Sequence, residues 1–223
     1  MTVRQAAELD HAFERNGWTS ADVKKLSAGD TLFSVLQVIR GEAEIKEVVR
    51  KKSAPPAIPA PLAIDRTTPF NPETFIGRGW KIWRGPKNGD GLIGEEEQDK
   101  RSLALTQFDP TKITKANFQT GLKAGEVVIT GEVKLARVML GMIQADAKIA
   151  EALYKEDGQK TLRYLFDILG VTWLEFLGTI LRAPDGCRYV LYLYRDDSGE
   201  WDWVCDWLGG VRGASHPALG FAS

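Results

Sequence analysis

Cysteine and histidine are scarce in this chain: two of each occur in 223 residues, with only three methionines. So few thiols leave no disulfide framework of the kind that braces small secreted domains, which implies a reducing compartment, taken here as the cytoplasm. The histidines, His11 and His216, have no neighbouring nucleophile-and-base context, and the Gly-x-Ser-x-Gly, Cys-x-x-Cys, His-Glu-x-x-His and dinucleotide fingerprints are absent. No catalytic residue is assigned, and no cofactor or metal is implied. Excess charge is lacking too: 29 basic against 30 acidic residues give −1, which supplies no global footprint for nucleic acid or an anionic membrane. No apolar run approaches the roughly 20 residues of a membrane-spanning helix. The first residues also lack the basic-then-apolar pattern of a secretory leader.

Aromatic and β-branched residues, by contrast, crowd the C-terminal region. Residues 175–182, 188–194 and 201–207 are runs of strand length, separated by the turn sequences Ala183-Pro-Asp-Gly186 and Asp196-Asp-Ser-Gly199. Three antiparallel strands follow. With Ala183 opposite Cys187 and Arg195 opposite Glu200, alternation puts Phe176, Gly178, Ile180, Val190, Tyr192, Tyr194, Trp201, Trp203 and Cys205 on one face. The other face holds Leu177, Leu181, Leu191, Leu193 and Val204, with Asp202 and Asp206 marking an edge strand. In this register Cys205 pairs with Val190 while Cys187 lies at the far turn, so no disulfide joins them. Gly178 falls beside Tyr192 and Trp203, and a strand glycine between rings leaves room for another group. Phe176, Gly178, Tyr192, Tyr194, Trp201 and Trp203 are therefore the candidate ligand-binding residues; the alternative is that the rings are simply core.

Upstream, the spacing predicts helices over 3–16, from Thr19 or Ser20 to Leu26, and over 32–39. The dimensions match a helix-turn-helix, but the last helix is apolar on nearly every side and offers only Gln37 and Arg40 for base readout. Residues 50–62 carry four prolines and read as an extended connector. Further helices are expected over 132–142, capped by Thr130, and over 147–155 and 159–169, the last covering the leucine face. Glycines between Gly85 and Gly94 lack the Gly-Lys-Ser/Thr ending of a phosphate loop, and Asp90 with Glu95, Glu96 and Glu97 lacks calcium-loop spacing. The expected architecture is α+β: a helical unit over 1–46, a proline-rich linker over 47–72, and a domain over 73–223 whose antiparallel meander packs with helices.

Four segments span most of the chain: Gly17 to Asp30, Arg101 to Thr106 with the glutamate-rich loop before it, Gly178 to Gly186, and Trp201 to Leu208. On them the chain resembles a group of uncharacterised proteins of bacterial candidate phyla. The resemblance implies no activity, cofactor or catalytic residue. The residues themselves point to a non-catalytic interaction module whose aromatic face takes a protein or a proline-rich peptide, its own 53–62 segment included. Single-stranded nucleic acid is the alternative ligand, with Arg182, Arg188 and Arg195 supplying charge for the phosphates. A small hydrolytic enzyme, its site assembled from distant residues, ranks below both.

Overall fold

The computed structural model describes residues 13, 19–26, 31–40 and 56–222, and the chain divides into two units, 1–54 and 55–223. The first unit contains α1 (Ser20–Leu26) and α2 (Thr31–Ile39). Thr19 and Asp22 begin α1 reciprocally: Asp22 N donates to Thr19 Oγ1 at 3.2 Å and Thr19 N to Asp22 Oδ2 at 2.9 Å. This satisfies donors that a helix start leaves without intrahelical partners. The helix expected over 3–16 lies outside the described residues except for Phe13, which is helical.

The second unit contains, in order, β1 (Leu62–Ala63), α3 (Pro72–Phe75), β2 (Lys81–Ile82), β3 (Gln107–Phe108), β4 (Phe118–Gln119), β5 (Val128–Thr130), α4 (Gly131–Val138), β6 (Ile143–Gln144), α5 (Ala147–Lys155), α6 (Lys160–Leu169), β7 (Trp173–Glu175), β8 (Leu181–Arg182), β9 (Arg188–Arg195), β10 (Trp201–Trp207), β11 (Val211–Gly213) and β12 (Ala218–Phe221). The main sheet runs β2-β8-β9-β7-β12-β4, with β10 on the other side of β9 and β6 also joined to β12. Its pairings are antiparallel except for β7 with β12. The fold is thus α+β, as composition and periodicity imply. Ile64 and Phe70, which sequence places in the proline-rich connector, are core residues, and β1 pairs with β3.

Helix ends follow local chemistry. Thr130 caps α4 by accepting from Val133 N at 3.3 Å, and Asp146 caps α5 by accepting from Ile149 N at 3.0 Å. Gly170, at φ 70°, ends α6 in the left-handed conformation that glycine adopts without steric cost. Ile149 and Leu153 of α5 join Leu162 and Leu165 of α6 in covering Leu174, Leu181, Leu191 and Leu193 of the sheet. Each such side chain withdrawn from water contributes about 1.5–3 kcal/mol. The leucine side of the sheet is therefore the one that α5 and α6 cover, while Leu135 and Val138 of α4 pack against Val190 on the other side.

The first hairpin has the expected register: Ala183 N donates to Cys187 O, and Leu181 and Arg182 pair with Tyr189 and Arg188. The second hairpin differs by one residue. Asp196 N donates to Glu200 O and Gly199 sits at φ 91°, so the loop is the three residues 197–199 with a left-handed last position. Trp201 consequently pairs with Arg195, Asp202 with Tyr194, Trp203 with Leu193 and Val204 with Tyr192. Side chains alternate with period two, so this slip moves Trp201, Trp203 and Cys205 to the helix-covered side. Asp202, Val204 and Asp206 take their places beside Tyr192 and Tyr194.

The run 175–182 is also not one strand. It divides into β7 and β8, and between them Gly178 N donates to Ala145 O while Gly178 O accepts from Asp99 N, both at 2.8 Å. Among the described residues, no helix is long and apolar enough to cross a membrane.

Candidate functional site

The six residues expected to share a trough do not share one. Phe176 is fully buried, Trp201 is 3% exposed within the helix-covered core, and Trp203 packs on that same side with its ring 5.1 Å from Phe75. The space over Gly178 is filled by the protein's own backbone, because a Cβ built there would lie 2.4 Å from Gln144 O. Only Tyr192 and Tyr194 keep the predicted placement: half-buried, on the side of the sheet away from α5 and α6.

A different aromatic cluster forms around those two tyrosines. Trp173 pairs with Tyr194 across the β7-β9 ladder and Glu175 with Tyr192, so alternation brings all four side chains to one side. The Trp173 indole stacks on Tyr192 at 4.9 Å between centroids and 29° between planes, and lies 5.7 Å from Tyr194 and 5.1 Å from the His216 imidazole. His216 reaches it from the loop between β11 and β12, where its N–H donates to Gly213 O and Nδ1 lies 3.2 Å from Ser215 Oγ. Trp173, Tyr192, Tyr194 and His216 all remain half-buried. Beside Trp173 opens a groove of about 320 Å³, bordered by Phe118, Thr172, Ser215, Pro217 and Lys115. Burial, followed by the nearby Asp206 carboxylate, pushes the Tyr192 phenol up to about 12. It is therefore a neutral hydroxyl at physiological pH.

On the same side of the sheet, next to the cluster, lies a buried ion network. Glu175 accepts from Lys134 Nζ of α4 on one oxygen and from Arg212 Nε of β11 on the other. All three side chains are essentially inaccessible. Lys134 also donates to His216 O, and Arg212 reaches Trp207 O at 3.1 Å and Asp206 Oδ2 at 2.9 Å. Two cations and two carboxylates balance, as buried charges require. Burial lowers the proton affinity of Lys134, against the opposing pull of Glu175. The sealed ammonium makes this a strut fixing α4, β11 and the His216 loop around the rings rather than a reactive centre.

The arginines expected to meet phosphate have other partners. Arg182 Nε donates to Asp90 O at 2.8 Å, while Arg188 is buried, bound to Glu132 and Glu97, and lies over Trp83 at 5.4 Å. Arg195 lies over the Phe166 ring at 4.0 Å, on the side that α6 covers. The three arginines suited to a nucleic-acid strand are thus engaged elsewhere. His11 falls outside the described residues.

Sequence reasoning passed over Trp173 and His216. The signal for Trp173 was its alternation with Glu175 immediately before the buried Phe176, whereas His216 arrives through a loop with no local mark. No protein-family model matches the chain, and neither does any curated protein or solved structure.

The two free cysteines differ in environment: Cys187 is exposed, whereas burial, with Asp206 adding to it, pushes the Cys205 thiol up to about 12. A soluble alkylating reagent at mildly alkaline pH is expected to modify Cys187 first and the half-buried Cys205 much more slowly, the difference vanishing on denaturation. Peptide mass mapping checks this. Equal early labelling of both would contradict the burial of the inner thiol.

Proposed function

We propose that the chain is a non-catalytic interaction module that binds an extended, proline-containing peptide on the Trp173 side of its sheet. One observation carries the reading: Trp173, Tyr192, Tyr194 and His216 converge on the uncovered part of that side, half-exposed, with a groove beside the indole. Stacked aromatic side chains supply large contact area with little conformational entropy to lose, and proline-rich segments arrive already extended. Trp173 is the anchor, because it touches the other three rings and borders the groove. The groove carries Lys115 as its one charged side chain, which suits an apolar ligand better than an acidic or basic one. The reading includes a reducing, cytoplasmic setting, supported by the two unpaired thiols.

The test is calorimetric titration with the peptide Pro-Pro-Ala-Ile-Pro-Ala-Pro, which is this chain's own 55–61 sequence, against a version with alanine at each proline. Wild-type protein should prefer the proline peptide, and Trp173→Ala should weaken binding by about tenfold or more. A Trp203→Ala substitution, on the opposite side, should leave affinity unchanged. Equal affinity for the two peptides would remove the proposal.

A further inference from the structure

Strand β10 is seven residues long and, among the described residues, lies at a sheet edge and pairs with β9 alone. Its ladder is fixed at both ends: Asp196 N donates to Glu200 O, and Leu208 N to Arg188 O. Alternation between these points turns the backbone groups of Asp202, Val204 and Asp206 toward β9, and those of Trp201, Trp203, Cys205 and Trp207 outward. The ends of this outward row are occupied. Trp201 O accepts from Gln159 Nε2 at 3.1 Å, and Trp207 O accepts from Gly210 N at 2.9 Å and from Arg212. In the middle, Trp203 N reaches only the neighbouring Asp202 carboxylate, at 2.8 Å. Trp203 O and both backbone groups of Cys205 have no partner among the described residues. Unpaired edge groups of this kind are a template for an added strand.

The side chains state which strand. Asp202 and Asp206 stand four apart on one face around Val204, and alternate with Trp203 and Cys205 on the other. Asp202 is exposed and has no cationic partner among the described residues, its Oδ1 accepting from Trp203 N and, at 3.4 Å, from the Tyr154 hydroxyl while Oδ2 stays open, and Asp206 already accepts a guanidinium, that of Arg212, at 2.9 Å. A second copy of β10 added antiparallel about Val204 would set aspartate against aspartate, and like charges directly opposed are destabilising. The edge therefore rejects its own kind and favours a basic strand.

We propose that β10 receives by strand addition an extended segment of a partner protein carrying Lys or Arg four residues apart about a β-branched residue. The two cations face Asp202 and Asp206, the central residue faces Val204, and backbone bonds form to Trp203 O and Cys205. This surface is separate from the Trp173 groove, and the inference stands without that reading.

The probe is the capped peptide Thr-Lys-Thr-Val-Thr-Lys-Thr, compared with a version carrying Glu for both Lys, by fluorescence anisotropy at low salt. The lysine peptide should bind about tenfold more tightly than the glutamate peptide. Asp202→Lys should weaken the first by about threefold and strengthen the second, while Asp202→Asn should fall between. Hydrogen exchange at the Cys205 amide should slow on binding, and Trp173→Ala should leave all of this intact. The proposal is overturned if the lysine peptide does not bind, if Asp202→Lys leaves the preference unchanged, or if the Cys205 amide exchanges at its free rate in the complex.

Discussion

Glu175→Ala is expected to destabilise the second unit by about 3–5 kcal/mol, the cost of leaving buried cations without their counter-charge. Total stabilities of domains run at about 5–15 kcal/mol, so the variant approaches unfolding at physiological temperature. The geometry sets the size: one carboxylate neutralises both Lys134 and Arg212, each essentially inaccessible to water. Lys134→Met should cost less, because Glu175 then keeps Arg212 and loses only the bond from the ammonium. Urea unfolding checks the order, with the midpoint falling furthest for Glu175→Ala and the slope unchanged. The pH dependence gives a second readout. Burial already holds the Lys134 pKa below its ordinary value of 10.5, and removing Glu175 lowers it further. Between that lowered value and about 10.4 the unfolded chain binds more protons than the folded one, so stability rises with pH there. The variant should accordingly recover toward wild type as the solution is made alkaline. A variant as stable as wild type at neutral pH would show that the network contributes nothing.

Much of the architecture was legible in the sequence because its determinants are local. Thr130, Asp146 and Gly170 mark helix ends by capping chemistry that three or four residues suffice to define. The Pro-Asp-Gly hairpin likewise declares its own register. The second hairpin does not, since Asp196-Asp-Ser-Gly199 provides turn residues for a three-residue or a four-residue loop alike. Choosing between them decides which side every β10 side chain faces, so a small ambiguity in the turn reassigned both tryptophans of the candidate site. The ion network was hidden for a different reason. Lys134 and Arg212 meet Glu175 across 41 and 37 residues of sequence, and an isolated charged residue ordinarily reads as surface. The tyrosine half of the site survived because Tyr192 and Tyr194 belong to β9, whose alternation does not depend on the second loop.

Gly178→Ala is expected to destabilise the fold by about 3 kcal/mol, at the upper end of what overpacking costs. Sequence marked Gly178 as a place where something comes close, and that inference was sound about space but not about the visitor. The added Cβ would meet Gln144 O at 2.4 Å, Ala145 O at 2.7 Å and Ala145 C at 2.8 Å. These are backbone atoms, so they cannot swing aside as a side chain would. Relief requires moving the strand carrying Gln144 or the break between β7 and β8, and either motion strains the bonds from Gly178 N to Ala145 O and from Asp99 N to Gly178 O. Thr179 lies next in line, its hydroxyl accepting from Ala147 N at 3.1 Å at the start of α5, so the disturbance reaches the helix that covers the sheet. Gly141→Ala is the matched control: it has nothing within 4 Å of the added atom and no left-handed backbone, and should be neutral or slightly stabilising. Urea midpoints for the two variants separate a glycine kept for close approach of the chain from one that is merely tolerated. Were Gly178→Ala as stable as wild type and weaker at binding a peptide, the space over residue 178 would belong to a ligand after all.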